Sequence, residues 1–567
     1  MHSCQETFVS DPAKAVANKV LTQSSCLTME QAIMATIKDA RLIEPFIDRS
    51  ESVGVAVIHK DGDIDLMSHS DWNQNLSEAE VRALECLEAS SSWHLPTFTH
   101  LDHWKSELGG PLGSNESEAA DIIEERTIRI MSGIAGRLVR CLQKIVCFAD
   151  DVQALAAANY IIGSYFKDQF AVFPHLVVNS FTGSGKSTLL ESIGFVMYRG
   201  LYQTNYSSAA LTRMVHDYDV SLALDEMGRN MESRSRGGDL YQFLLDVCTK
   251  GGGTIRLIND TRKVEVCKVY TPVVYATRGD SVPEDIYNRG LSIRLGRLGN
   301  DSMVYSLNYL EDVPWEYPED NPMEILEDLH CLKLLTESHK GTEYENHELG
   351  GIWFKRFRNI VKNQLTSTIP EIGGYKYAYV NDLPSMPIRG RDMDRALLFA
   401  TIGYTTKSER DMLSLIQQSI DGIRLRNIDS VEGGMFNAML RLIMRGYKDS
   451  HPLDLKKTEV SLRDCKEILN GITTKDIRDE YTASEKELGH TVPYVANTLT
   501  ARLKSLGFDT VDASGNLRKI DTGQKSFDKN FMTAIEMFGD YDNLRFFGKM
   551  GTSTRKSEPS WMRGGAE

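Results

Sequence analysis

Apolar and polar positions follow different rhythms along the chain, and the changes of rhythm divide it. Residues 53–67, VGVAVIHKDGDIDLM, place two short apolar runs around Asp61-Gly62, which predicts a β-hairpin. Helical text surrounds it, as at Ser77–Ala89, so residues 1–115 read as a separate α+β module. The stretch GGPLGSNES at 109–117 predicts a boundary. From 118 to 173 apolar residues recur at intervals of three and four, as in IRIMSGIAGRLVRCLQKIV, which predicts helices. A second helix is expected over Asp151–Phe170, running up to a strand at His175–Asn179.

Residues 174–300 alternate strands with helices, as a parallel α/β sheet requires, with further strands expected at Val220–Leu224 and Thr271–Ala276. Residues 326–445 are mostly helical text and read as a lid or collar. Within it, Arg389, Arg391 and Arg395 stand near a helix start, either as a sensor of bound phosphate or as ion-pair partners of Asp392 and Asp394. Residues 471–523 read helix, helix, hairpin, the order of a winged helix. Thr473 is the expected N-cap of its first helix. The second is HTVPYVANTLTARLKSLGF at 490–508, and the hairpin turns at Ser514-Gly515-Asn516. Arg502, Lys504, Arg518 and Lys519 are candidate phosphate contacts there, and protein docking is the other use of such a module. Residues 550–567 lack a periodic apolar pattern and are expected to be disordered.

Length and composition narrow the class. At 567 residues, and roughly 150 per domain, about three to four units are expected. A composition of 41% hydrophobic and 25% charged residues is that of a soluble globular protein. A net charge of -15 argues against a protein that coats DNA non-specifically, but it leaves room for a local basic surface. The nine cysteines include no C-x-x-C pair, so free thiols in the cytoplasm are expected rather than a zinc site or disulfides. Neither a signal peptide nor an apolar run of ~18 residues is visible, so no membrane partner is expected.

The most specific signal is Ser180-Phe181-Thr182-Gly183-Ser184-Gly185-Lys186-Ser187, between the strand LVVN and the helix TLLESIGFVMY. Small residues let backbone N–H groups wrap phosphates, and the helix start adds positive potential. Residues Ser180 to Thr188 are therefore the expected ATP site. Lys186 would reach the β- and γ-phosphates and Ser187 would ligate Mg2+. Ser180 stands where the pattern has its first glycine. The strand VSLAL ends on Asp225-Glu226, 39 residues after Lys186. Asp225 would hold Mg2+ through water, and Glu226 would orient the attacking water. The strand TPVVYA ends on Thr277, either a contact to the γ-phosphate or a plain strand-end hydroxyl. Arg289 in NRGLSIRL is either an arginine finger for a neighbouring subunit or a helix C-terminal arginine capped by Gly290, with Arg294 and Arg229 as rival fingers.

This order of elements resembles the AAA+ class, and within it the superfamily 3-like, helicase-like ATPases of phages, plasmids and archaeal mobile elements. The features that carry the resemblance are ANYIIGSYFKDQFAVFPHLVVNS feeding the glycine loop, SSAALTRMV, LALDE, the strand ending at Thr277, and NRGLSIRL. Many relatives have Asn where Thr277 stands. The resemblance implies a P-loop NTPase core of α/β class, assembly into a ring, commonly a hexamer, and catalytic roles for Lys186, Glu226, Thr277 and Arg289. Between the acidic pair and the sensor strand, GGGTIRLINDTRKVEVCKVY reads as strands Thr254–Ile258 and Arg262–Val266 joined at Asn259-Asp260. In such helicases a hairpin here grips DNA, which implies Arg256, Arg262, Lys263 and Lys268 as phosphate contacts. The alternative is a surface hairpin whose basic residues protect its edges. The expectation is an ATP-dependent DNA motor of a mobile element. The alternative is a regulatory or defence ATPase that remodels a protein partner, with residues 1–115 as adaptor.

Overall fold

The chain's first described strands are set by an unbroken apolar run. The computed structural model describes residues 40–47, 53–59, 63–68, 94–108, 116–180, 183–232, 237–258, 263–277, 282–296, 317–338, 357–362, 371–372, 375–376, 379–380, 383–384, 391–429, 431–450, 460–487, 503–504, 506–513 and 517–538. They fall into two compact units, Met1–Gln364 with Gly390–Ile416, and Leu365–Arg389 with Gln417–Glu567.

In the first unit, β1 (Ala40–Ile47), β2 (Val53–His59) and β3 (Ile64–Met67) form an antiparallel sheet in that order. Strand β2 is the apolar run VGVAVIH, and Val55 to Ile58 are fully buried. β3 was legible with it, and their expected turn at Asp61-Gly62 lies outside the described residues. β1 contains Pro45, which lacks an N–H and is tolerated because β1 is an edge strand.

This small sheet is tied to the rest of its unit. Glu44 on β1 is buried and accepts from Arg199 (Nη2, 2.8 Å) and from the Tyr198 hydroxyl (2.6 Å). Burial alone would raise the Glu44 carboxyl, but the Arg199 guanidinium and neighbouring cations hold it below its usual value. Residues 94–100 and helix α1 (Leu101–Leu108) fasten to a later helix, Pro322–Ser338. There Glu327 accepts the Thr97 N–H at 2.7 Å, and Asp328 accepts the Trp104 indole N–H at 2.8 Å. The described residues of the segment read as a separate module thus share a unit with the core.

Helices α2 (Glu116–Ile145) and α3 (Asp151–Tyr165) come next, α3 being capped by Asp150, whose carboxylate accepts from the Gln153 N–H at 3.0 Å. The helix expected to reach Phe170 stops at Tyr165 and gives way to a 3-10 turn, Lys167–Gln169. The Tyr270 hydroxyl takes the carbonyls of Lys167 and Phe170 at 3.0 and 2.9 Å.

The centre of the unit is a five-stranded parallel sheet. Its strands are β4 (His175–Asn179), β5 (Gly200–Gln203), β6 (Ser221–Leu224) and, after the separate antiparallel hairpin β7–β8 (Gly253–Ile258 and Lys263–Lys268), β9 (Val273–Thr277) and β10 (Gly290–Arg294). The spatial order is β10-β4-β9-β6-β5. Strands β4, β6 and β9 are almost wholly buried, as expected of a parallel sheet covered on both faces. Each buried apolar side chain contributes roughly 1.5–3 kcal/mol. β9 starts later than Thr271 because the carbonyl of Pro272 joins the ladder, accepting from Leu222, while its ring nitrogen has no hydrogen to give.

Helix α4 (Lys186–Val196) crosses from β4 to β5, and α5 (Ser208–Tyr218) from β5 to β6. α4 lies close on the sheet because two glycines meet: a Cβ at position 200 would sit 1.9 Å from the carbonyl oxygen of Gly194. A Cβ on Gly194 would be 3.1 Å from Ala223 and 3.3 Å from Tyr202. The region read as one helical lid is divided: Pro322–Ser338 and Arg391–Thr405 lie in the first unit, and residues from Gln417 onward in the second.

The second unit is a helical core carrying a hairpin. Helices Val431–Ser450, Leu462–Leu469, Thr474–Glu487 and Phe527–Phe538 close over Phe436, Met439, Leu469, Ile477, Phe508 and Phe531. Strands Thr510–Ala513 and Leu517–Ile520 pair antiparallel, and Thr473 bridges Lys519 as a third strand position. Thr473 begins its helix as expected: its hydroxyl accepts the Asp476 N–H at 3.3 Å while Asp476 accepts the Thr473 N–H at 2.8 Å. Of the helix expected at 490–508, only 503–504 is described as helical, and Arg502 lies outside the described residues. Residues 77–89 and 550–567 also lie outside them. Among the described residues, no helix is long and apolar enough to cross a membrane.

Gly200→Ala is expected to lower the stability of the first unit by about 2 kcal/mol, since the added methyl meets backbone that cannot move aside. Denaturant unfolding measures this; an unchanged midpoint would mean the contact relaxes elsewhere.

Candidate functional site

The chain reaches the two neighbours of β4 from opposite directions. From β4 it crosses to β5 at the far edge, returns through β6 and β9, and then passes to the other side of β4 as β10. In open parallel sheets a crevice forms where the order reverses, outside the carboxyl ends of the strands. Register brings those ends together: Asn179 pairs with Thr277 and Arg294, and Leu224 pairs with Gln203 and Tyr275. The glycine loop, Asp225-Glu226 and Thr277 therefore share one edge of the sheet.

The loop leaves β4 at Ser180, whose hydroxyl donates to the Leu295 carbonyl at 3.1 Å. Gly183 and Gly185 have φ of 78° and 87°. Gly185 caps α4 in the left-handed conformation, where a side chain would be strained, and a Cβ there would also meet Val146 at 3.2 Å. Lys186 is the first residue of α4, and its ammonium donates to the Ser180 carbonyl at 2.6 Å, across the mouth of the loop. Ser184 is buried, Thr188 half-buried and Ser187 exposed. Phe181 and Thr182 lie outside the described residues. The loop thus lies at the start of α4, where helix N–H groups and the helix dipole favour an anion. This loop geometry fits a polyphosphate.

An outer wall for the loop was not foreseen. Val146–Ala149, read as helical text, leaves the helix and runs beside the end of β10: Phe148 bridges Leu295, and Gly296 donates to the Cys147 carbonyl at 2.8 Å. The sequence signal was present in the break between Ile145 and the cap Asp150.

Asp225 continues the ladder past β6, donating to the Gln203 carbonyl at 2.9 Å, and is 8% exposed. Its Oδ1 accepts the Glu226 N–H at 2.8 Å and its Oδ2 accepts the Tyr202 hydroxyl at 3.2 Å. The Tyr206 hydroxyl donates to its main-chain oxygen at 3.1 Å. Glu226 is exposed, with a left-handed φ of 53°. A non-glycine residue in that region marks stored strain, which clusters at functional sites. Burial raises both phenols above their ordinary range; the charge of Asp225 adds to this at Tyr202, and at Tyr206 a hydrogen bond with Asn230 opposes it without cancelling it, so each remains a neutral donor. Sequence reasoning missed both tyrosines; the only signal was their position, Tyr202 within and Tyr206 just after a strand that had not been foreseen.

Thr277 is 2% exposed at the end of β9, beside Asn179. Arg289 lies elsewhere. It precedes β10 at the amino edge of the sheet, where its carbonyl accepts the His175 N–H at 3.2 Å and its guanidinium donates to the Leu245 carbonyl. Within one chain it does not join the loop. Arg294 is exposed at the carboxyl edge. The side chain of Arg229 is outside the described residues. Arg395 is buried and donates to the Gly290 carbonyl at 2.6 Å, again at the amino edge and away from the loop. Arg389 and the side chains of Arg391 and Asp392 are outside the described residues.

The basic hairpin forms as β7–β8, in register from Gly253 with Lys268 to Ile258 with Lys263. Lys268 is exposed at its base, and its N–H donates to His216 Nδ1 at 3.3 Å. Arg262 lies outside the described residues, as do the side chains of Arg256 and Lys263.

Replacing Glu226 isolates the backbone strain. Glu226→Gly should be more stable than Glu226→Ala by about 1 kcal/mol, because only the alanine retains the left-handed penalty. Equal unfolding midpoints for the two variants would mean that the backbone relaxes.

No protein-family model and no curated protein matches this sequence. Among solved structures, the chain is similar to an apo structure titled as the C-terminal region of NrS-1, at 12% identity and a TM-score of 0.30, covering 84% of this chain and 96% of that one. A second apo structure of the same region is similar at 11% identity and a TM-score of 0.27, with the same coverage. Likenesses this distant assign neither a site nor an activity.

Proposed function

We propose that the chain is an ATPase of P-loop, AAA+-like type that drives movement on DNA, as a helicase-like motor acting in a ring. The observation that carries the reading is the convergence of a glycine loop closed by Lys186 with Asp225-Glu226 at the carboxyl edge of one parallel sheet. Lys186 and the first N–H groups of α4 would bind the β- and γ-phosphates. A bound Mg2+ would offset the charge that develops on the phosphate oxygens. Ser187 and Asp225 would hold it, Asp225 through water. Glu226, exposed at the same edge of the sheet, would orient water in line with the γ-phosphate. Thr277, paired with Asn179 at the strand end that precedes the loop, would contact the γ-phosphate.

Arg289 belongs in this reading only between subunits. There it would serve as a finger for a neighbouring subunit's ATP in a ring, commonly a hexamer in proteins this one resembles; within its own chain its guanidinium donates to the Leu245 carbonyl beside the helix end before Gly290. For DNA, the basic hairpin β7–β8 supplies Arg256, Arg262, Lys263 and Lys268. In the second unit, the helix Thr474–Glu487, the Thr473–Lys519 bridge and the hairpin would be parts of a winged helix, with Arg518 and Lys519 on its last strand. A regulatory or defence ATPase that remodels a protein partner is the second reading. The amino-terminal sheet, built into the core through Glu44 and Arg199, favours it as a coupled adaptor.

Turnover assayed with and without single-stranded and duplex DNA separates the two readings. DNA stimulation is expected; neither stimulation nor binding at low salt would leave the protein-remodelling reading. Lys186→Ala is expected to cut turnover by on the order of 100-fold or more. Unchanged turnover would remove the site assignment. Changing Arg262 and Lys263 together to alanine is expected to abolish DNA stimulation and to flatten the salt dependence of DNA binding by roughly 1.5–2 in log–log slope. Persistence of both would place the DNA contact elsewhere.

A further inference from the structure

The acidic pair is held from outside its own strand, by one group on β5 and one in the segment that follows it. Tyr202 lies at the end of β5, and Tyr206 four residues on, just before the cap of α5 at Ser207. Their hydroxyls reach different atoms of one residue. Tyr202 donates to the carboxylate Oδ2 of Asp225 at 3.2 Å, and Tyr206 donates to the Asp225 carbonyl at 3.1 Å. That carbonyl belongs to the peptide joining Asp225 to Glu226. The N–H of the same peptide turns back onto Asp225 Oδ1 at 2.8 Å. Both ends of the peptide are thus tied, and Glu226 leaves it in the left-handed conformation with its side chain exposed.

The magnitudes are matched. A left-handed non-glycine residue costs roughly 1–2 kcal/mol, and a buried neutral hydrogen bond returns about 1 kcal/mol. The Tyr206 hydroxyl is therefore large enough to decide which way the peptide faces. A hydrogen bond to a charged group contributes more, about 1.5–3 kcal/mol, so Tyr202 is large enough to fix the Asp225 carboxylate. Tyr206 is itself fixed: it is 7% exposed, and its hydroxyl, bonded at 3.1 Å to the Asp225 carbonyl, also has the Met227 sulfur as a longer second acceptor at 3.7 Å. Tyr202 is pinned from behind, its Cβ near the glycine contact that seats α4.

We propose that Tyr202 and Tyr206 are positioning residues for phosphoryl transfer: Tyr202 sets the orientation of the Asp225 carboxylate toward metal-bound water, and Tyr206 locks the Asp225–Glu226 peptide so that Glu226 projects into the site. The proposal rests on the ATPase reading and assigns the two hydroxyls separate effects. Tyr202 governs how readily the site accepts Mg2+. Tyr206 governs the chemical step through Glu226 and leaves the binding of ATP to the loop.

The test uses the full chain with Tyr202→Phe and Tyr206→Phe, each removing one oxygen, alongside Lys186→Ala and Glu226→Gln. Circular dichroism and thermal midpoints confirm folding, and steady-state turnover is measured against ATP and against Mg2+. Tyr202→Phe should raise the Mg2+ needed for half-maximal turnover on the order of tenfold. Tyr206→Phe should lower kcat by about fivefold to tenfold with KM for ATP little changed. In the Glu226→Gln background, Tyr206→Phe should cause no further loss, because its effect runs through the missing carboxylate. Folded variants with wild-type kcat and Mg2+ dependence overturn the proposal, and an additive loss in the Glu226→Gln background overturns the role of Tyr206. A wild-type chain whose turnover does not depend on Lys186 overturns the ATPase reading and this one with it, whereas Lys186-dependent turnover with silent tyrosines overturns this one alone.

Discussion

Strand β4 has to be flanked by strands that the chain reaches from opposite directions, and the site depends on the gap this leaves. A sheet laid down in simple sequence order would cover the carboxyl end of β4 with a neighbouring crossover. Here the chain departs to the far edge and returns, so the loop after Asn179 opens into a space bordered by β9 on one side and β10 on the other. Parallel register does the rest, bringing Asn179, Thr277 and Arg294 level with one another. None of these residues is near another in sequence.

Placement within that space is finer than strand order alone would give. The glycine contact between α4 and β5 lets the helix that starts at Lys186 lie against the strands that carry Tyr202 and Ala223. The segment Val146–Ala149 backs the loop from the other side. Donors from the β5 segment then fix the acidic residues that β6 delivers. Loop, helix and acidic pair are each held by a different neighbour, so the edge is built before any ligand arrives.

The parts legible in the sequence are explained by the same physics. β4, β6 and β9 are apolar on both faces, so they stand out as unbroken runs, and the glycine loop stands out because its backbone tolerates few side chains. The β7–β8 hairpin was visible through its turn residues and alternating pattern. β5 was not, because GLYQ is four residues long and lies on the edge. β1 was hidden by Pro45, and Val146–Ala149 by the helix that precedes it. Arg289 and Arg395 were placed by neighbouring residues in sequence, but which edge of the sheet a residue occupies depends on strand direction, and both arginines stand before or against the start of β10. The tyrosine contacts lay beyond reach for a related reason: a hydrogen bond between β5 and β6 is set by register between strands, which the sequence does not write down.

The buried pair of Glu44 and Arg199 bears on how such a protein can be altered in evolution. Arg199 is 2% exposed and stands immediately before Gly200, the first residue of the strand that ends near Tyr202. Its carboxylate partner comes from a strand more than a hundred residues earlier. Leaving such a guanidinium buried without its carboxylate costs about 3–5 kcal/mol, a large share of what holds a domain folded. The amino-terminal sheet is therefore not an interchangeable cassette. A recombination event that exchanged it would have to bring a carboxylate to the same buried point or replace Arg199 in the same step, so the two segments are expected to be inherited together.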